Sequence, residues 1–376
     1  MNWKVPLYKI HSDSNDQKAV SKVIKRGMNW AIGPEIEQFE ELLAKYLKRK
    51  FCVTFNSGTS ALHASLLSLG IKSTDEVIVP SFTFIATVNS ILMVNAKPKF
   101  VDIEKETLGL NPNLLESAIN SKTKAIIPIH YAGLPCRVDE IKKITKKHKI
   151  ALIEDAAESF GAKIKNKKVG TFGDLSILSF AGNKLLTTGE GGAVLTDSKP
   201  LYDKLKLIRS HGRKDLSNYF LSSDSPQYVS LGYNWRMSSI SAALGISQLK
   251  KLDKLISLRQ KNAKFYHNKL KKIDEIQFPN IPYDFTHVYQ LYSIILPNHK
   301  VQKNLKNFLT KKGIMTKIFF DPVHKTDFYK KTIHQKFNLP VTLTVSKQII
   351  SLPLYPTMTK NELNYVCDSI LQFFKK

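Results

Sequence analysis

Lys184 stands apart in a lysine-rich chain. In SFAGNKLLTTGEGG (179–192) it has no charged neighbour for five residues on either side. A strand-like apolar run precedes it, and Ala181, Gly182, Gly189, Gly191 and Gly192 surround it with small residues. A lysine in an apolar, turn-confined setting is expected to have its neutral amine favoured by desolvation. A neutral amine beside a carbonyl forms a Schiff base. Ser179, five residues earlier, offers a hydroxyl to the same ligand.

Two further stretches complement the lysine. In IALIEDAAESFGA (150–162) an apolar run ends on Glu154 and Asp155. Open α/β sheets bind ligands at the carboxyl ends of their strands. A carboxylate there can cap the next helix or hold a proton on a cationic heterocycle. Glu158, three residues beyond Asp155, has the spacing of a capping box. In NSGTSALHASLL (56–67) a strand gives way to a helix through small residues. Gly58 lets a phosphate approach the backbone at the positive end of that helix, and Thr59 and Ser60 add hydroxyls. The same residues also make an ordinary capping turn, and no GxxxxGK[ST] phosphate loop occurs. Phe82 and Phe84 in PSFTFIATVN (80–89) can cover a ring or pack in the core. A phosphorylated pyridine aldehyde needs this set: a Schiff-base lysine, an acid for the ring nitrogen, phosphate donors and an aromatic.

The elements that must position these residues alternate in type. FCVTF (51–55), EVIVPS (76–81), KPKFVDI (97–103), AIIPIHY (125–131) and IALIEDAA (150–157) read as strands. Helix-like runs such as ALHASLLSLG (61–70) and VDEIKKITKKHK (138–149) separate them. This βαβα rhythm predicts a large, mostly parallel sheet covered by helices. DLSILSF (174–180) and GAVLTDS (192–198) read as strands joined through the turn around Lys184. From Met237 to about Ile273 the spacing predicts one long helix or two in succession. The last hundred residues read as strand, helix, strand: YQLYSIILP, VQKNLKNFLTKKG and IMTKIFF. We expect a large α/β domain over 1–250 and a smaller α+β domain over 251–376.

Composition sets limits on the partners. A net charge of +26 raises the question of polyanions. Yet runs such as KKITKKHK and KIKNKK are spread along the chain, and several fall at helix-like spacing beside apolar residues, as on solvated helix faces. No zinc-finger, basic-zipper or RNP-like pattern appears, so no nucleic acid is expected. Three dispersed cysteines, Cys52, Cys136 and Cys367, suggest neither a disulfide framework nor a metal site. The first residues lack a signal-peptide core and no apolar run could span a membrane, so a cytoplasmic location is expected.

On these stretches the chain resembles the pyridoxal-phosphate sugar aminotransferases of the DegT/DnrJ/EryC1/StrS family. The likeness rests on GPEIEQFE, NSGTSALH, PSFTFIATVN, PIHYAGLPC, EDAAESFGA, GDLSILSFAGNKLLTTGEGG, RSHG, GYNWRMSSISAALGISQL and SLPLYPTMT, nearly the full length. Within the family, EDAAE and SFAGNK are most similar to GDP-perosamine synthases and related enzymes of 4-keto-6-deoxy sugar nucleotides. The resemblance implies an aspartate-aminotransferase-like, fold type I enzyme using pyridoxal 5'-phosphate. It implies Lys184 as the cofactor-linking lysine, Asp155 as partner of the pyridine nitrogen, and Phe84 as the stacking aromatic. It places Glu158 near the cofactor hydroxyl, and Thr59 and Ser179 on the phosphate. Asn234 in GYNWRM would reach the phosphate in a partner subunit's site, which implies a homodimer with shared sites. His324 in KIFFDPVHKTDFY is a candidate sugar-nucleotide contact. The expected reaction moves an amino group from L-glutamate to a keto sugar nucleotide for surface glycan synthesis. Two rival readings are a sugar dehydratase of the same fold, in which histidine replaces the lysine, and a non-catalytic nucleic-acid-binding regulator.

Overall fold

The structure, a computed structural model, describes residues 3–214, 225–333 and 335–375. Its strands are β1 Phe51–Phe55, β2 Glu76–Pro80, β3 Lys97–Val101, β4 Thr123–Ile126, β5 Ala151–Asp155, β6 Lys163–Ile164, β7 Lys167–Lys168, β8 Leu175–Ser179, β9 Gly192–Thr196, β10 Phe285–Thr286, β11 Tyr292–Ile295 and β12 Ile349–Leu352. Seven of them form one sheet in the order β1-β9-β8-β5-β4-β2-β3. The pairs β8–β5, β5–β4, β4–β2 and β2–β3 are parallel. Strand β9 alone runs backwards, antiparallel to both β1 and β8. The mostly parallel sheet is as expected from the helix-separated apolar runs.

Side chains alternate across this sheet, and both faces are buried. Val53, Phe55, Val77, Val79, Ile153, Ile177 and Val194 enter one core. Their sequence neighbours Cys52, Leu178, Ala193 and Leu195 enter a second, on the opposite face, and Ile78, Ile126 and Leu152 a third. A sheet covered on both faces reads as continuous apolar runs in sequence, which is why these strands were legible.

The helical stretch after Met237 is two helices, Ser239–Leu249 and Leu252–Leu270. Leu252 and Ile256 pack with the large sheet. Ala263, Tyr266 and Leu270 pack instead with β11 and β12 and the helices His299–Lys311 and Lys360–Phe374, in a core that also takes Val5. IMTKIFF is not the expected ladder strand. Among the described residues it makes only bridges, Ile314 with Val5 and Lys317 with Ser351, the latter on the edge of β12 that β11 leaves open. Similarly, AIIPIHY is strand only as far as Ile126, two residues short of Pro128. Among the described residues no helix is long and apolar enough to cross a membrane.

Candidate active site

Parallel strands present their carboxyl ends together, and here β5 ends on Asp155 and β8 on Ser179. Successive strand residues point to opposite faces, so Glu154 and Asp155 live in different surroundings. Glu154 is fully buried and accepts from the backbone N–H groups of Gly170, Phe172 and Gly173 at 2.7, 2.5 and 2.6 Å. Cys136 N–H donates to His130 Nδ1 at 3.1 Å, so the proton on His130 sits at Nε2, 3.3 Å from Glu154. Burial pushes the Glu154 carboxyl up, but His130 and these N–H groups outweigh it and hold it below its ordinary value. Glu154 is thus saturated by the fold.

Asp155 is also buried but poorly served. It accepts from the Thr87 hydroxyl at 2.8 Å and the Ala157 N–H at 3.2 Å. Burial dominates and raises its pKa. A buried carboxylate in this condition calls for a cation.

The helix Gly58–Ser68 starts one turn after β1. Ser57 caps it by accepting from Ser60 N–H at 3.0 Å, so the capping-turn reading of Ser57 holds. That leaves the Gly58 and Thr59 N–H groups at the helix start, beside the end of β8. A Cβ on Gly58 would lie 3.0 Å from Ser179 Cβ and 3.1 Å from its Oγ. A Cβ on Gly192 would lie 2.5 Å from the Ser57 carbonyl oxygen. Gly192 is therefore demanded by the close approach of β1 and β9, and a side chain in place of Gly58 would crowd Ser179 at the end of β8.

Lys184 is isolated along the chain but not in space. Its Nζ lies 3.4 Å from Glu158 Oε1, and its side chain is 15% exposed. The expected charge-free setting is corrected: Glu158, brought from the turn after β5, forms an ion pair with it. Glu158 Oε2 in turn accepts from the Ala132 N–H at 2.9 Å. The spacing that suggested a capping box with Asp155 serves this bridge instead.

Phe84 leads into the helix Ile85–Met93 and is 59% exposed, its ring 6.2 Å from that of Phe320. Phe82 is buried against Tyr131. Thr87, one turn after Phe84, ties this helix to Asp155. His324 departs from a substrate-facing role. Its Nδ1 lies 2.6 Å from Ser81 Oγ, its Nε2 is buried with no hydrogen-bond partner, and its ring sits near Phe100 and Phe337. Burial, aided by Lys325, lowers its pKa to about 4, so it is a neutral ring holding the Ser81 turn. Asn234 is exposed, bridged to Ser210, and lies next to Trp235, whose carbonyl accepts from Asn56 N–H at 2.8 Å. It flanks the helix start but makes no contact with Lys184.

Gly58, Thr59, Ser179, Asp155, Glu158 and Lys184 thus lie at the carboxyl end of the sheet, with Phe84 linked through Thr87. The set fits pyridoxal phosphate on its own chemistry: a buried carboxylate with only two hydrogen-bond donors, a lysine paired to the neighbouring Glu158, and a helix start where Gly58 brings no Cβ between its N–H and Ser179. Thr87 and Ala132 escape sequence reading, because a helical threonine and a backbone N–H carry no distinctive pattern. Among the described residues no cluster of acidic, histidine or cysteine side chains could hold a metal ion.

The sheet and its helices match solved sugar aminotransferase structures over nearly their full length, and the chain is a fold type I, pyridoxal-phosphate-dependent aminotransferase. The chain belongs to the DegT/DnrJ/EryC1/StrS aminotransferase family, whose pattern matches residues 11–371. It is 40% identical to an uncharacterized protein of Methanocaldococcus jannaschii, over 90% of each chain. It is 36% identical to the GDP-perosamine synthase of Escherichia coli O157:H7, over 98% of each. The solved structure of Helicobacter pylori PseC, an aminotransferase of pseudoaminic acid biosynthesis, superposes over the whole of both chains with a TM-score of 0.92 at 29% identity. The chain is accordingly a sugar aminotransferase.

Proposed function

We propose that this enzyme transfers the amino group of L-glutamate to a 4-keto-6-deoxy sugar linked to a nucleoside diphosphate, in the cytoplasm, for surface glycan synthesis. The observation that carries the catalytic part is the Lys184–Glu158 pair beside a buried, cation-seeking Asp155. The acceptor class is supported by the similarity to GDP-perosamine synthase and by the PseC fold match.

When bound, pyridoxal phosphate supplies the carbonyl that carries the amino group and a ring that accepts electrons. The chain's own groups do the rest. The N–H groups at Gly58 and Thr59, with the Thr59 and Ser179 hydroxyls, hold the phosphate at the helix start. Asp155 keeps a proton on the ring nitrogen, and Thr87 fixes the orientation of its carboxylate. Phe84 covers one face of the ring and excludes water from it. Lys184 would link the cofactor; once the amine of glutamate has displaced it, the freed Lys184 amine would take the α-carbon proton as general base and deliver it as general acid to the carbon that bore the carbonyl. Glu158 fixes the lysine tip between these acts.

Asn234 completes the phosphate site of a second subunit, which makes the working form a homodimer. We take the large unit as 1–250 and the small unit as 251–376; the helix Leu252–Leu270, which packs first with the large sheet and then with β11 and β12, supports a division near its start. A panel of GDP-, UDP- and dTDP-linked 4-keto sugars with glutamate, read by mass spectrometry, tests the proposal. Gain of one amino group on a keto sugar nucleotide is expected. Amination of none of them, with the cofactor bound, would refute the acceptor class.

A further inference from the structure

Gln290 is 3% exposed, in the segment leading into β11. Its Nε2 donates to the Asn183 carbonyl at 2.6 Å. Turning the amide over would set two oxygens against each other, so the donor must face Asn183. Its Oε1 is buried and accepts from no protein group among the described residues. An apolar side chain would fill this space without that cost. The amide is therefore kept for its one donor contact.

That contact acts on the lysine next in the chain, because the carbonyl of Asn183 and the N–H of Lys184 belong to one rigid peptide plane. The Lys184 N–H donates to the Ala181 carbonyl at 3.0 Å. With Gln290 on the carbonyl, both ends of the plane that sets the Lys184 Cα–Cβ direction are pinned. The same segment also reaches the other end of the lysine. Val288 N–H donates to the Gly133 carbonyl at 3.0 Å and Leu291 N–H to the Ala132 carbonyl at 3.1 Å. Ala132 N–H holds Glu158, and Glu158 holds Lys184 Nζ. The segment is itself braced by Arg259, 3% exposed, whose guanidinium donates to the carbonyls of Tyr289, Gln290 and Leu354 at 3.2, 3.3 and 3.1 Å.

We infer that Gln290 is a positioning residue: it aims Lys184 by pinning the Asn183–Lys184 peptide, and so ties the placement of the small unit to that of the lysine. This rests on the reading of Lys184 as the cofactor-linking residue. The test uses the cofactor-loaded enzyme and two variants. Gln290→Met keeps the volume and removes the donor; Gln290→Glu sets an acceptor against the carbonyl once ionised. The readout is the pH midpoint of the absorption of the lysine-bound cofactor, with circular dichroism to confirm folding. A shift of about half to one pH unit is expected for Gln290→Met, the size of one lost hydrogen bond, and a larger one for Gln290→Glu. Midpoints that overlay the wild type in a folded variant would overturn the inference. Should Gln290→Met fail to fold, the Gln290→Glu midpoint decides in the same way. Borohydride fixation and peptide mapping of the wild type separates the two readings. Cofactor fixed elsewhere than Lys184 defeats the lysine assignment, whereas cofactor fixed on Lys184 with unmoved midpoints defeats the positioning role alone.

Discussion

Lys184 and Asp155 carry charges whose purposes can be separated by measurement. Lys184→Ala is expected to abolish the absorption of the lysine-bound cofactor and to lower turnover by about a thousandfold or more, since general acid–base catalysis is lost with it. Asp155→Asn should act in opposite senses with and without cofactor. A carboxyl raised in the folded state binds its proton longer than in the unfolded chain. Its contribution is complete below the unfolded value of ~3.9 and is lost as pH rises through the raised folded value. The cofactor-free Asp155→Asn variant is therefore expected to melt higher than wild type at neutral pH, and with a flatter dependence on pH above that value. With pyridoxal phosphate present the order should reverse, because the ring nitrogen has lost its counter-charge. These two residues were legible because each breaks its local pattern: a lone charge among small residues, and a carboxylate closing an apolar strand. Glu154 breaks the same pattern and misleads. Only the fold shows that three N–H groups and His130 consume it.

At the level of elements, the close approach of β1, β9 and β8 fixes the cradle. Gly192→Ala would place a Cβ 2.5 Å from the Ser57 carbonyl oxygen. It is expected to cost about 1–3 kcal/mol of stability, as overpacking does, read as a lower denaturant midpoint, and to weaken cofactor binding. Glu154→Gln leaves buried donors of the Gly170–Gly173 turn without a charged acceptor, and a loss of about 2–3 kcal/mol is expected by the same measurement. The parallel strands and their helices were readable from alternating apolar blocks. The direction of β9 was not, because a strand buried on both faces looks the same whichever way it runs. IMTKIFF carries strand-like residues but meets its neighbours only at single bridges, to Val5 and to Ser351, and the extent of pairing depends on partners distant in sequence that no local pattern records.

For the whole molecule, the proposed sharing of sites between two subunits can be put to a complementation test. Lys184→Ala and Asn234→Ala subunits are each expected to be nearly inactive alone. If Asn234 serves the partner's site, mixing and re-associating them places both defects in one site and leaves the other intact. About a quarter of wild-type activity is then expected, since half the dimers are hybrids with one good site. No recovery would assign Asn234 to its own subunit or to no site. The proposed dimer and sugar acceptor rest on family likeness alone, because they depend on surfaces a single chain does not pair. The charge of +26 suits an anionic sugar nucleotide, and a rise in its KM with ionic strength is the expected mark of steering.

The reversed strand β9 has a consequence during synthesis. Strand β1 (Phe51–Phe55) has β9 (Gly192–Thr196) as its partner in the sheet. At about 5–20 residues per second, the apolar β1 leaves the ribosome on the order of ten seconds before its partner exists. For that interval it is an unpaired, aggregation-prone edge. Nascent chains halted short of residue 192 should accordingly be held by chaperones, while chains released beyond residue 196 can close the sheet.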